Sequence, residues 1–206
     1  MICENIDTLK KALNGVLATG ERDVRIVDEK RLRDTLTDDL IRTAVFAPDE
    51  GTRAAARWLI RRTAAAAGIS VSSIQGLYEA MGRGEVSGFT VPATNIRALT
   101  YDTAQAVFRA ALAGGVGAMI FEIARSEIDY TRQRPEEYTC AVLAAALKTG
   151  YRGPLFLQGD HFQVGAKKYA KDPEAEVKAV KDLIWEAIDA GFYNIDIDTS
   201  TLVDLT

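Results

Sequence analysis

The sequence predicts an α/β fold in which successive strand–helix units surround a parallel sheet, with a helical region before them. Three observations lead to this prediction. From residue 87 onward, short apolar segments alternate with longer amphipathic ones, the amphipathic segments end in glycine, and the connections are brief. The short segments are apolar almost without interruption, which is typical of strands buried on both faces of a parallel sheet.

The region from residue 1 to about residue 84 has a helical pattern instead. The first segment shows the reasoning, because apolar residues recur at helical spacing from Ile6 to Leu17 and Gly20 supplies a stop. Four helical segments are predicted in this region: residues 5–20, 28–46, 49–68 and 70–84.

The alternating region is predicted to contain four strands and three helices. The strand-like segments are residues 88–96, 117–124, 153–160 and 192–205. The helical segments between them are residues 100–115, 134–150 and 172–191. The last of these places its apolar side chains on one face, from Val177 to Ile188, as expected for a helix that covers a sheet.

Composition limits the classes of function. The chain of 206 residues is 48% hydrophobic and 26% charged, which is typical of a globular protein with a core. A net charge of −4 gives no reason to expect nucleic acid as a partner. No apolar run approaches the roughly 20 residues that cross a bilayer, so no membrane partner is expected. Cys3 and Cys140 suggest no disulfide framework, which favours a cytoplasmic location.

Polar side chains follow every predicted strand, although the strands themselves are apolar. Ligands of parallel α/β proteins bind at the carboxyl ends of the strands, so this row of residues is the candidate site. In chain order the residues are Asn95; Glu122, Arg125 and Ser126; Asp160, His161 and Gln163; and Asp196, Asp198 and Ser200.

Three of these strand ends resemble one enzyme family. The first reads Val-Pro-Ala-Thr-Asn at residues 91–95, the third ends in the pair Asp160-His161, and the fourth ends in Asp-Thr-Ser at residues 198–200. In this order, from about Leu77 to the end of the chain, they resemble the class II (metal-dependent) ketose-bisphosphate aldolases. Thr94 departs from the pattern, since the family has an aromatic residue there.

The resemblance implies a TIM (β/α)8 barrel. Residues 70–206 would form its N-terminal half, and residues 1–69 would form a helical N-terminal extension that the resemblance does not cover. A complete barrel needs about 250 residues. We therefore expect the C-terminal half to be absent from this chain, and the 206 residues alone to be inactive.

The resemblance also implies an activity, the aldol cleavage or condensation of a phosphorylated ketose of the fructose- or tagatose-bisphosphate type. Dihydroxyacetone phosphate and an aldehyde would be the cleavage products, and one zinc ion would stabilise the enediolate. Asp160 would be the acid–base residue that moves the hydroxyl proton, and His161 would be a zinc ligand. Asn95 and Ser126 would contact the substrate.

Asp198 and Ser200 would shape the polar surroundings of the metal. Catalytic zinc takes three protein ligands, and His161 is the only histidine of the chain. The remaining ligands are therefore expected outside this segment. A Schiff-base aldolase is disfavoured because no predicted strand ends in lysine; Lys167 and Lys168 are interpreted as solvated residues of a polar loop.

Two other interpretations stay open. One is a non-catalytic aldolase-like protein that binds a sugar phosphate or supports a partner subunit, and the other is a metal-dependent sugar epimerase or isomerase. For the aldolase, the resemblance implies a homodimer or homotetramer in the cytoplasm.

Overall fold

A computed structural model describes residues 1–203. The helices are α1 Ile6–Leu13, α2 Glu29–Arg31, α3 Thr37–Phe46, α4 Glu50–Ala66, α5 Gln75–Gly82, α6 Thr100–Gly114, α7 Arg125–Thr131, α8 Pro135–Thr149, α9 Ala166–Lys171 and α10 Pro173–Ala190. A π-helical turn, Leu32–Leu36, joins α2 to α3, and a 3-10 turn covers Ser200–Leu202. The strands are β1 Leu17–Thr19, β2 Val24–Ile26, β3 Ile69–Ser72, β4 Ala93–Asn95, β5 Ile120–Ala124, β6 Gly153–Asp160 and β7 Asn194–Ile195.

The main sheet has five strands in the order β3-β6-β5-β4, with β7 also paired to β6. The pairs β4–β5, β5–β6 and β6–β7 are parallel. Their register places four polar residues in one row across the sheet, namely Asn95, Glu122, Gln158 and Asn194. The parallel sheet and its helices confirm the predicted α/β class.

Strand β6 coincides with the predicted segment 153–160. Its centre, from Leu155 to Leu157, is buried, as the continuous apolar sequence predicts. Gly159 is required near its end, because a Cβ there would lie 2.7 Å from the ring of Phe162 and 3.1 Å from Ile195. Glycine at this position therefore lets β6 lie close to the side chains of both Phe162 and Ile195.

The described residues divide into two compact units. Unit 1 consists of Met1–Ser70, Ala98–Gly117 and Glu137–Pro154. Unit 2 consists of Val71–Arg97, Ala118–Glu136 and Leu155–Thr206, of which the structure describes the residues up to 203.

Unit 1 is mainly helical, and its N-terminal residues contact later segments of the chain. The Asp38 carboxylate accepts hydrogen bonds from the Tyr101 hydroxyl at 2.7 Å and from Lys148 Nζ at 2.8 Å. The rings of Phe108 and Tyr151 pack with their centroids 4.9 Å apart. These contacts hold α3, α6 and α8 together within unit 1.

In unit 2, one face of the sheet changes from apolar to polar along the strands. Ile120 and Phe156 belong to a buried cluster with Ile74, against which Leu77 and Val91 pack. Side chains two residues apart on a strand share a face. The same face therefore continues to the polar row that contains Glu122 and Gln158, and then to the carboxyl ends of the strands.

Two predicted features of the N-terminal region are wrong. The helix predicted for residues 5–20 ends at Leu13, because the chain turns at Gly15, whose φ is +72°. The following residues form an antiparallel hairpin in which Leu17 pairs with Ile26. The segment predicted as a helix from residue 70 begins instead inside β3, and its helix starts at Gln75.

Later in the chain, the structure contains two short helices that were not predicted. Lys167 and Lys168 are exposed, but they belong to α9 and not to a polar loop. Helix α7 follows β5 directly, so Arg125 and Ser126 lie in its first turn. The last predicted strand is much shorter than residues 192–205, because β7 ends at Ile195; residues 204–206 lie outside the described residues.

None of the helices within residues 1–203 combines the length and the apolar character needed to span a membrane.

Candidate functional site

The predicted row of polar residues surrounds a cavity in unit 2. This cavity has a volume of about 450 Å³ and opens at the carboxyl ends of β4, β5 and β6. Four of the six predicted site residues line it, namely Asn95, Ser126, Asp160 and His161. A space of this size suits a small-molecule ligand.

Asp160 and His161 are in direct contact at the end of β6. The Oδ2 atom of Asp160 lies 3.0 Å from Nδ1 of His161, and 62% of the His161 side chain is exposed to solvent, against 21% for Asp160. His161 has a left-handed backbone with φ +46°, which turns the chain immediately after the strand. The hydrogen bond and the charge of Asp160 raise the pKa of His161, with smaller contributions from Asp196 and Asp198.

Asp196, the residue directly after the neighbouring strand β7, joins this pair. Its Oδ2 atom accepts a hydrogen bond from the backbone N–H of His161 at 3.1 Å. One potential ligand atom from each of Asp160, His161 and Asp196 lies within 4.8 Å of the other two, the one such group of three or more found within residues 1–203. An imidazole nitrogen and two carboxylate oxygens are donors that zinc accepts, so the residues present fit a divalent cation.

Asn95 is held by a buried carboxylate that the sequence analysis missed. Its amide Nδ2 donates to Glu127 Oε2 at 2.9 Å, and its Oδ1 accepts from Arg97 Nε at 3.3 Å. Glu127 also accepts from the backbone N–H of Ala124 at 2.8 Å and forms an ion pair with Arg97 at 2.6 Å. No sequence motif marked Glu127, which packs onto Asn95 only through the pairing of β4 with β5.

Ser126 is exposed in the first turn of α7 and lines the cavity. Asp198 and Ser200 lie apart from the cavity wall but support it. Asp198 accepts from Gln163 Nε2 at 2.5 Å and from the backbone N–H of Ser200 at 2.8 Å. The hydrogen bonds from Ser200, together with the one from Gln163, lower the pKa of Asp198. Asp198 thereby fixes Gln163, which does line the cavity.

A buried ion pair forms another part of the wall. Arg125 Nη1 donates to Glu176 Oε1 at 2.6 Å and to the backbone carbonyl of Gln163 at 2.7 Å. Only 12% of the Arg125 side chain and 3% of the Glu176 side chain are exposed. Arg125 lowers the pKa of Glu176, and the backbone N–H of Gly165 also donates to that carboxylate at 2.7 Å.

Glu122 adds a partly buried carboxyl group to the polar row of the sheet. Gln158 Nε2 donates to Glu122 Oε2 at 3.0 Å. Burial raises the pKa of Glu122, and the negative charges of Asp160 and Glu127 raise it further. A glutamate inside an otherwise apolar strand is a visible signal for this group, which the sequence marks only as one of the strand-end residues.

Two more residues of the site were not selected from the sequence. Asp196 was among the strand-end residues, but the resemblance to the aldolases selects Asp198 instead. Lys168 lines the cavity from α9, and not from the solvated loop that the sequence predicts. The alternation of aspartates in residues 194–198 could have identified Asp196, since residues two apart on a strand share a face.

Comparisons with protein-family models, with curated proteins and with solved structures found no match to this chain.

Proposed function

We propose that the protein is a metal-dependent aldolase of the class II type, acting on a phosphorylated ketose such as a fructose or tagatose bisphosphate. One observation above all supports the proposal. Asp160 and His161 are in contact at the end of β6, on the wall of a cavity that Asn95 and Ser126 also line. Two of the three motifs that resemble the family, at Asn95 and at Asp160-His161, thus line the same cavity.

The sheet supports the finer proposal of a half barrel. Strands β4, β5, β6 and β7 pair in chain order and in parallel, as the first four strands of a (β/α)8 barrel would. The polar ends of these four strands would then form half of the catalytic rim, with residues 1–69 as an addition to the barrel.

The cavity offers partners for a small phosphorylated substrate. Lys168 and Arg97 bring positive charge to its wall, and the Ser126 hydroxyl is an exposed hydrogen-bond donor. Arg97 is held against Glu127, so its charge is partly neutralised. We therefore assign the phosphate chiefly to Lys168 and Ser126, and hydroxyl recognition to Asn95.

Asp160 is the group that moves the proton. In the cleavage direction its carboxylate takes the proton of the substrate hydroxyl, the carbon–carbon bond next to that hydroxyl breaks, and its electron pair passes to the ketose fragment. The aldehyde leaves, and a proton returned to the ketose fragment gives dihydroxyacetone phosphate. Proton transfer by a positioned side chain contributes roughly 10²- to 10⁴-fold to a rate.

His161 would hold the metal. When bound there, zinc would supply Lewis-acid stabilisation of the negative charge that develops on the substrate oxygens. The exposed His161 ring is accessible to an ion from solvent, and Asp198 and Gln163 fix the polar wall beside it.

Product analysis tests the proposal. The natural protein, supplied with zinc, is incubated with fructose and tagatose bisphosphates, and the products are identified by mass spectrometry. An aldolase gives two three-carbon fragments, and a chelator abolishes their formation. A product of unchanged mass would point instead to an epimerase or isomerase. Binding of the bisphosphate without turnover would point to the non-catalytic sugar-phosphate-binding protein.

A further inference from the structure

We propose that Asp160, His161 and Asp196 form a divalent-cation site that is complete within this chain, with Asp196 as a metal ligand that the aldolase resemblance does not assign. The inference rests on the proposed function only for the choice of zinc as the ion. It changes one expectation from the sequence, because zinc binding would then not require ligands from outside these residues.

Backbone hydrogen bonds bring the three residues together from two strands. The N–H of Asp196 donates to the carbonyl of Gly159 at 2.8 Å, and the N–H of Phe162 donates to the carbonyl of Asp196 at 2.9 Å. Asp196 is thereby fixed beside the turn formed by Asp160 and His161. The site is held by the pairing of β6 with β7 and not by side-chain contacts alone.

The charges of the group are unbalanced. Asp160 and Asp196 bring two carboxylates to one imidazole, and their potential ligand atoms all lie within 4.8 Å of one another. Two like charges at this separation repel each other, and a divalent cation between them would turn that repulsion into attraction. His161 and Asp196 are exposed, so an ion can reach the group from solvent.

Asp196 is a better candidate ligand than Asp198. Both oxygens of Asp198 already accept hydrogen bonds, from Gln163 and from Ser200, and the residue is buried. Asp196 accepts a hydrogen bond on Oδ2 from the N–H of His161, and its side chain is in contact with solvent. An exposed carboxylate can coordinate an ion without first losing buried partners.

The donor set matches the requirements of a catalytic metal. Zinc in catalytic sites takes three protein ligands and leaves a position open for water or substrate. Asp160, His161 and Asp196 supply three donors, of which Asp160 and His161 line the cavity. A carboxylate has two oxygens, so coordination through one of them leaves the other for the proton transfer assigned to Asp160.

The test uses zinc alone and the untagged chain. Zinc affinity is measured by competition with a chromophoric chelator for the wild type, for Asp196→Asn and for His161→Ala. Asp182→Asn is the matched control, since Asp182 is an exposed aspartate of α10 paired with Lys178. Circular dichroism confirms that each variant is folded.

We expect about one zinc per wild-type chain and unchanged binding in the control. Loss of a ligand should weaken zinc affinity at least as much as the roughly 10- to 100-fold that follows removal of a group hydrogen-bonded to a ligand. Wild-type affinity in Asp196→Asn, or no zinc bound to the wild-type chain, would overturn the proposal.

A second measurement avoids the variants. His161 is the only histidine, so its imidazole gives one set of NMR signals. These signals should move with added zinc and stop moving at about one equivalent, whereas unmoved signals would also overturn the site. Zinc binding that depends on Asp196 without ketose cleavage would leave this inference standing and remove the proposed function. Ketose cleavage together with zinc binding that does not depend on Asp196 would support the proposed function and overturn this inference.

Discussion

Two clusters of charged side chains, one in each unit, contain similar groups but differ in how their charges are matched. In unit 1, the single carboxylate of Asp38 accepts hydrogen bonds from Lys148 and Tyr101, and the side chains of Asp38 and Lys148 are partly exposed. In unit 2, the Asp160 carboxylate contacts the exposed imidazole of His161, and the Asp196 carboxylate accepts a hydrogen bond from the backbone N–H of the same residue. The first cluster has its partners within the fold, and the second retains negative charge that faces water.

This difference separates a structural role from a candidate functional one. A carboxylate that has a full set of internal partners stabilises the fold and has little capacity left for a ligand. The Arg125–Glu176 pair shows the same structural pattern inside unit 2, since Glu176 is buried, Arg125 is largely buried and the two side chains are bonded to each other. The Asp160–His161–Asp196 cluster lacks this internal balance, which supports the proposal that the function lies there.

The largest effect on stability should come from breaking the Arg125–Glu176 ion pair of unit 2. Arg125→Met leaves the buried Glu176 carboxylate without its cation, which should lower the free energy of unfolding by about 3–5 kcal/mol. Urea denaturation measures this change. The matched control is Arg134→Met, which breaks an exposed pair with Glu186 and should cost about 0–1 kcal/mol. Equal effects of the two substitutions would mean that the buried pair is not structural.

A smaller loss is expected in unit 1. Asp38→Asn removes the charge that Lys148 and Tyr101 share, which should lower the free energy of unfolding by about 1–3 kcal/mol near neutral pH. Burial opposes ionisation of Asp38, but the hydrogen bonds from Lys148 and Tyr101 hold its pKa below the ordinary 3.8.

The effect of Asp38 should therefore depend on pH. A lowered folded-state pKa means that the carboxylate stabilises the fold above pH 3.8 and that this stabilisation is lost as the pH falls through the folded-state value. The difference in unfolding free energy between wild type and Asp38→Asn should shrink below pH 3.8. A difference in unfolding free energy that stays constant as the pH falls below 3.8 would contradict the ion pair between Asp38 and Lys148.

A substitution in the Asp160–His161–Asp196 cluster should have the smallest effect on stability but a clear effect on the titration of His161. Asp160 raises the pKa of His161 above the ordinary 6.5, so Asp160→Asn should return it toward 6.5. A raised folded-state pKa means that protonated His161 favours the fold below pH 6.5 and that this contribution is lost as the pH rises through the folded-state value. NMR titration of the metal-free chains measures the pKa of His161 in the wild type and in Asp160→Asn. Equal pKa values in the two proteins would exclude the contact between Asp160 and His161.

The elements with a long, uniform pattern could be predicted from the sequence. Strand β6 has the predicted limits, and α10 lies within the segment that its apolar face and final Gly191 predict. The hairpin of β1 and β2 escaped prediction because strands of three residues are too short to show alternation. Helix α9, with six residues, is likewise too short for a helical repeat to stand out.

The candidate site could be predicted only where its residues follow strands directly. Asn95, Asp160 and His161 were found because the strand pattern places them at the carboxyl edge of the sheet. Glu127 and Glu176 could not be found in this way, since each is fixed by a tertiary partner, Asn95 or Arg125, that lies 32 or 51 residues away in the chain. A single sequence carries no local signal for such pairs.

The turnover of two comparable variants tests most directly the distinction between the functional cluster of unit 2 and the structural cluster of unit 1. Asp160→Asn and Asp38→Asn make the same chemical change in the unmatched and the matched cluster, and kcat/KM for ketose bisphosphate cleavage is measured for both in the natural protein. We predict that Asp160→Asn lowers kcat/KM by about 10²- to 10⁴-fold, whereas Asp38→Asn lowers stability and leaves kcat/KM near the wild-type value. Near wild-type turnover in Asp160→Asn, or an equal loss in both variants, would contradict the assignment of function to the Asp160–His161–Asp196 cluster.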